Sequence, residues 1–130
     1  MLRHEGVGYL ERIAGAAGGV RFIPYLSEEI TNPFVDELCS LLEDPSRILP
    51  GGYLYMSDLL GDPDIVKKIG QMFATAFAEV PIDVVMTVET KGIPLAYAVA
   101  SYLKVPVVIV RRDPKVTEGS SVSINYVSGR

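Results

Sequence analysis

The chain has 130 residues, 48% of them apolar and 22% charged, with a formal net charge of −4. That length allows one domain with a real core and excludes a second large one; the apolar content excludes disorder, and the charge excludes a nucleic-acid surface that works alone. No apolar run reaches the roughly 18 residues that a membrane span needs, and no secretory signal precedes the fold. A single cysteine, Cys39, excludes an internal disulfide framework and fits a reducing, cytoplasmic setting.

The charge is uneven. Residues 1–45 carry three basic and eight acidic side chains, whereas residues 81–130 carry six basic and four acidic ones.

In chain order, residues 1–26 read as an extended arm. Val7, Tyr9, Leu10 and Ile13 precede the cluster Gly15-Ala16-Ala17-Gly18-Gly19, and a second apolar stretch, 20–23, ends at Pro24. Two short apolar stretches around glycines predict a hairpin or wing. The glycines lack G-x-G-x-x-G spacing and a following helix pattern, which argues against a dinucleotide fingerprint. His4, in this arm, has no ligand partners at metal spacing and reads as exposed.

Asn32-Pro33 predicts the N-cap and first residue of a helix whose stripe is Phe34, Leu38, Leu41 and Leu42. Cys39, inside that apolar run, reads as buried filler. Asp44-Pro45 ends the helix, and Pro50-Gly51-Gly52 predicts a turn within irregular chain or short strand over 49–55. Asp62-Pro63 starts another helix, with Ile65, Ile69, Met72, Phe73, Ala76 and Phe77 expected on the core face and Lys67, Lys68 and Glu79 in water.

The stretch 82–113 organises the rest. Residues 82–88 are rich in β-branched side chains with little alternation, which predicts a parallel strand buried on both faces. A polar turn, Glu89-Thr90-Lys91-Gly92, leads into a helix opened by Ile93-Pro94, with Leu95, Val99, Tyr102 and Leu103 at helical spacing. Val105-Pro106 stops it, and 107–110 is a second buried strand. The result is one βαβ unit with a right-handed crossover. After Arg112, 113–120 reads as a mobile loop, and Val122, Ile124 and Tyr126 alternate with polar residues as in a half-exposed strand.

Ligands on such sheets bind beyond the carboxyl ends of the strands, beside helix N-termini that favour anions. The turn 89–92 lies there, and Arg111, Arg112 and Lys115 follow the next strand on the same side. Together they predict a site for a phosphate-bearing small molecule. There is no zinc spacing, no Ser/His/Asp set, no Walker loop and no adjacent Asp-Asp to hold a metal.

The segment VVMTVETKGIPLAYAVASYLKVPVVIVRR resembles the core of type I phosphoribosyltransferases, above all the adenine and xanthine enzymes. That resemblance implies an α/β fold, incomplete here, with a parallel sheet flanked by helices and preceded by a wing-like β arm. It implies that Glu89, Thr90, Lys91 and Gly92 form the pyrophosphate loop, and that the flexible loop starts at Arg111 and Arg112 and includes Lys115. Residues 121–129, with Tyr126, would be its returning strand. PGGYLYMSDLLGDP is similar to the hood segment of the adenine enzymes, which places Tyr53 near the aromatic that covers the purine.

The stretches GVGYLERIAGAAGGVRFIP, RILPGGYLYMSDLLG and RRDPKVTEGSSVSINYVSGR resemble the purine operon repressor family of Gram-positive bacteria, which joins a winged-helix DNA-binding domain to a phosphoribosyltransferase-like domain. The resemblance covers nearly the whole chain. It implies a wing and linker over 1–26 and a phosphoribosyltransferase-like part over 27–130, with the winged-helix helices before Met1 and the ribose-phosphate motif beyond Arg130. It also implies a cytoplasmic homodimer that binds operator DNA and takes phosphoribosyl pyrophosphate (PRPP), with Mg²⁺, as its effector. No cofactor, metal site or catalytic residue is assigned to this chain. The rivals are a purine phosphoribosyltransferase enzyme and a fragment that only associates through apolar faces.

Overall fold

The computed structural model describes residues 3–4, 8–113, 117 and 119–125. Its elements are β1 (Arg3–His4), β2 (Gly8–Ile13), β3 (Gly19–Pro24), α1 (Glu28–Leu42), a 3₁₀ turn (Pro45–Arg47), β4 (Ile48–Leu49), β5 (Tyr53–Leu54), α2 (Ser57–Gly61), α3 (Pro63–Ala76), β6 (Val85–Val88), α4 (Ile93–Leu103) and β7 (Val107–Val110).

The expected arm is a hairpin. β2 and β3 pair antiparallel from Gly8 opposite Pro24 to Ile13 opposite Gly19, with β1 on the outer edge of β2. The Gly15–Gly18 turn closes on itself, the Gly18 N–H donating to the Gly15 carbonyl at 2.9 Å. Most of the hairpin is exposed; Ile23 and Leu26, at its inner end, are 3% and 6% exposed and anchor it beside α3. His4 lies in β1, and its side chain is outside the described residues.

α1 starts a turn earlier than Asn32-Pro33 suggests. Ser27 is the N-cap, its carbonyl accepting from the N–H groups of Ile30 and Thr31, and Pro33 sits inside the helix. Glu28 and Glu29 place two negative charges in the first turn, where the helix dipole favours them, whereas Pro33, inside the helix, leaves the Glu29 carbonyl without its helical donor. α1 buries no residue, and Cys39 on it is exposed rather than filling a core.

α3 begins where Asp62-Pro63 places it: the Asp62 carboxylate accepts from the N–H groups of Asp64 and Ile65 at 2.9 and 3.3 Å. Its core face is not the expected one. Val66, Gly70, Gln71 and Ala74 are buried, whereas Phe73 and Phe77 are about half exposed. Small residues win this face because α4 meets it at Ala98, where the two backbones approach closely. A Cβ on Gly70 would sit 2.6 Å from the Ala98 Cβ and 2.8 Å from the Ala98 carbonyl carbon. Lys67 and Glu79 face water as expected, but the Lys68 ammonium lies 4.9 Å from the Phe34 ring centroid.

β6 and β7 pair in parallel, Val85 with Val107 through Val88 with Val110, and α4 packs on both. This is the expected βαβ unit, in an α/β fold. Two expectations fail. The strand covers Val85–Val88 rather than 82–88, because β7 starts only after Pro106 and offers no ladder to the earlier residues. The strands are also not buried on both faces. Val85, Thr87, Val107 and Ile109, on the α4 side, are half-buried, while Met86, Val88, Val108 and Val110 are 41–66% exposed. Further on, 121–125 forms no strand and pairs with none among the described residues, leaving Val122 and Ile124 exposed. Tyr126 lies outside the described residues, as do 114–116 and 118 of the expected loop.

Candidate functional site

The β6–α4 turn sits at the carboxyl end of the parallel pair. The Glu89 N–H donates to the Val110 carbonyl at 3.0 Å, so the ladder runs one residue past β6 and brings the start of the turn beside the end of β7. The Glu89–Thr90 peptide bond is cis. The Ile93 N–H then donates to the Thr90 carbonyl at 3.3 Å and the Ala96 N–H to the Gly92 carbonyl at 3.0 Å, which folds the turn directly into α4. Gly92 has an ordinary φ of −74°, so it is required by space and not by conformation. A Cβ there would stand 2.5 Å from the Thr87 Oγ1.

Thr90 and Lys91 are exposed at the mouth of the turn. The N-terminus of α4 lies directly after them, where the helix dipole adds positive potential. Arg111 and Arg112 follow β7 directly. Glu89 ties them to the turn: Arg111 Nη1 donates to Glu89 Oε2 at 3.0 Å, and the Arg112 N–H donates to Glu89 Oε1 at 3.2 Å. The Glu89 and Arg111 side chains are 28% and 22% exposed, so this pair is screened less than a surface ion pair. The structure thus brings Glu89, Thr90, Lys91, Gly92, Arg111 and Arg112 to one end of the sheet. Lys115 lies outside the described residues.

Tyr53 stands on the β4–β5 hairpin, paired with Leu49 and 72% exposed. That hairpin is clamped by a residue not singled out from the sequence. Arg47 donates to both carboxylate oxygens of Asp58 at 2.9 and 2.8 Å and to the Tyr55 carbonyl at 3.1 Å. The Asp58 carboxyl is held below its ordinary pKa, first by the Arg47 hydrogen bond, and Arg47 is raised by the same contact. Asp44 is also lowered, first by the backbone N–H of Ser46. One further contact crosses to the turn: Lys91 Nζ donates to Ser57 Oγ at 3.1 Å. Residues 34 positions apart leave no periodic signal, and sequence reasoning passed over Ser57, Arg47 and Asp58 alike. Among the described residues no group of three or more His, Cys, Asp and Glu side chains is arranged to hold a metal ion, and no helix is long and apolar enough to cross a membrane.

The parallel pair thus carries a compact polar turn at its carboxyl end, with basic residues beside it. The chain belongs to the phosphoribosyl transferase domain family, whose model matches residues 56–130. Over nearly its whole length it is similar to regulators of purine biosynthesis from Gram-positive bacteria. It is 62% identical over 125 residues to the purine biosynthesis transcriptional repressor PurR of Bacillus subtilis, covering 96% of this chain and 44% of that protein. It is 52% identical over 129 residues to the purine biosynthesis transcriptional activator PurR of Lactococcus lactis, covering 99% of this chain and 48% of that protein. Similarity to a xanthine phosphoribosyltransferase of Levilactobacillus brevis is lower, 33% over 84 residues, covering 59% of this chain and 44% of the enzyme. The chain spans less than half the length of these relatives.

Proposed function

We propose that this chain works within a transcriptional regulator of purine biosynthesis genes, most simply a repressor, whose phosphoribosyltransferase-like domain senses PRPP. The observation that carries the reading is the 89–92 turn, held between β6 and α4 with Arg111 and Arg112 anchored beside it. Thr90, Lys91 and the N–H groups of the turn supply donors for a pyrophosphate, and the basic residues after β7 supply charge. Mg²⁺ enters with the PRPP rather than through a carboxylate cluster of this chain. Tyr53 is the aromatic of the hood. Residues 1–26 serve as the wing and linker of a winged-helix part that contacts operator DNA, and the regulator is a cytoplasmic homodimer. Arg21 spends its charge on Glu11, at 2.9 Å, so the hairpin by itself gives only weak, salt-sensitive DNA binding.

Titrating the chain with PRPP and Mg²⁺ while following its melting temperature tests the effector reading. A saturable rise supports it; no rise at millimolar PRPP removes it. In a gel shift the chain alone gives no tight, sequence-specific complex with operator DNA.

The second reading is an enzyme that joins a purine base to PRPP, and the presence of Glu89 in the turn favours it. Both carboxylate oxygens of Glu89 are engaged by the Arg111 side chain and the Arg112 backbone, an anchoring rather than a catalytic arrangement. Nucleotide formed from adenine or xanthine with PRPP and Mg²⁺ would establish the enzyme; we expect none.

A further inference from the structure

We propose that Ser57 is part of the anion site: it holds Lys91 over the 89–92 turn and ties occupancy of that turn to the Tyr53 hairpin. The inference rests on the reading of the turn as a pyrophosphate loop and adds to it a residue that lies outside the loop.

Ser57 is a fixed point. It opens α2, whose Leu59 is buried at 5% exposure. The next residue, Asp58, takes both arms of the Arg47 guanidinium, and Arg47 also receives the Tyr55 N–H at its carbonyl, at 2.7 Å, while donating to the Tyr55 carbonyl. The β4–β5 hairpin, the 3₁₀ turn and the start of α2 are therefore one stiff corner, with Ser57 on its outer side.

Lys91 is the opposite case. Its ammonium ends a four-carbon stem with large rotamer freedom, on an exposed residue. The 3.1 Å bond to Ser57 Oγ restrains it. An ammonium has three donors, and this bond uses one of them. The serine accepts through a lone pair, so its own proton stays available as a donor. An anion seated on the turn then meets an oriented ammonium and, beside it, a hydroxyl carried by the hairpin corner. Any shift of Lys91 toward that anion pulls on the same corner that carries Tyr53.

The chain contains no tryptophan, so Tyr53→Trp gives a single reporter on the hairpin. The probe is inorganic pyrophosphate, with binding measured by calorimetry and the hairpin by tryptophan emission. In the reporter protein pyrophosphate binds and shifts the emission. Adding Ser57→Ala weakens binding about fivefold, the worth of one ordinary hydrogen bond, and abolishes the emission shift. Adding Ser57→Thr, which keeps the hydroxyl, restores both. A melting curve for each variant checks the fold; Ser57 is exposed, and no change is expected. Equal pyrophosphate affinity and equal emission shifts in the Ser57→Ala and reporter proteins would overturn the role of Ser57 while leaving the pyrophosphate loop standing. Absence of calorimetric binding in the reporter and the unmodified chain alike would overturn the loop reading itself, and this inference with it.

Discussion

Helices α1 and α3 are nearly equal in length, 15 and 14 residues, and each carries an apolar stripe, yet α3 is part of the core and α1 buries nothing. The large side chains do not make the difference, since α1 carries Phe34, Leu38, Leu41 and Leu42, and the Phe73 and Phe77 rings of the α3 region are themselves half exposed. What α3 has is a buried row, Val66, Gly70 and Ala74, at helical spacing, with Gly70 set against Ala98 of α4. Close backbone approach at Gly70, in the seam between the two helices, fixes α4 relative to α3. Since α4 begins at the 89–92 turn, the seam also fixes the candidate site. In this molecule the smallest side chains, rather than the most hydrophobic ones, locate the functional residues.

The sharpest way to break that comparison is Gly70→Ala. The added methyl meets the Ala98 Cβ and backbone of α4, which cannot rotate away as a side-chain tip would. We expect a loss of about 3 kcal/mol, at the upper end for overpacking, read by urea denaturation. A loss under about 0.5 kcal/mol, the size of an ordinary surface change, would mean that the helices slide apart freely and that the seam positions nothing.

The next effect is at the far end of α4. Glu89→Ala removes the acceptor for Arg111 and for the Arg112 N–H, both partly shielded from solvent. We expect a loss of about 1 kcal/mol in thermal unfolding. Arg111→Ala should cost less in a background that already lacks Glu89, which a double-mutant cycle measures directly. Strict additivity would show that the two side chains do not hold each other at the site.

A smaller effect, confined to acid, belongs to the Arg47–Asp58 clamp. The folded pKa of Asp58 is depressed, so its contribution is complete above the unfolded pKa of about 4 and is lost as pH falls through the lower folded value. Asp58→Asn should therefore flatten the fall in stability below about pH 4 and leave the profile near neutrality parallel to that of the parent. Asp44, lowered by Ser46, retains its own share of the acid dependence in that variant. An unchanged acid profile would mean that the guanidinium does not bind the carboxylate in solution.

The sequence made the local punctuation readable. Asp62-Pro63 marks the start of α3, the glycine cluster marks the β2–β3 hairpin, and the polar residues 89–92 mark the turn between β6 and α4. Each is a short-range signal whose cause lies within a few residues. What failed to read was whatever depends on a partner. The buried face of α3 is set by the approach of Ala98 on α4, the length of β6 by where β7 can pair, and the exposure of Cys39 by the lack of a covering element over α1 among the described residues. In the candidate site the same division holds. Glu89, Thr90, Lys91, Gly92 and the arginines stand out from their place after strands, while Ser57 and the Arg47–Asp58 pair become visible only once the chain has folded back.

The last test sits on the other side of the comparison. Leu41 lies on α1 and is 39% exposed, and the helix has no buried residue for it to support. Leu41→Ser should change stability by no more than about 0.5 kcal/mol, and the change should not depend on protein concentration. If it costs several times more, the α1 face is covered in solution. A cost that grows with protein concentration would assign the cover to a second copy of the chain, because mass action makes the stability of an associating protein depend on its concentration. A large cost independent of concentration would instead mean that α1 packs within its own chain, and the contrast between α1 and α3 would have to be withdrawn. With the expected small and constant effect, α1 is an open face of this chain.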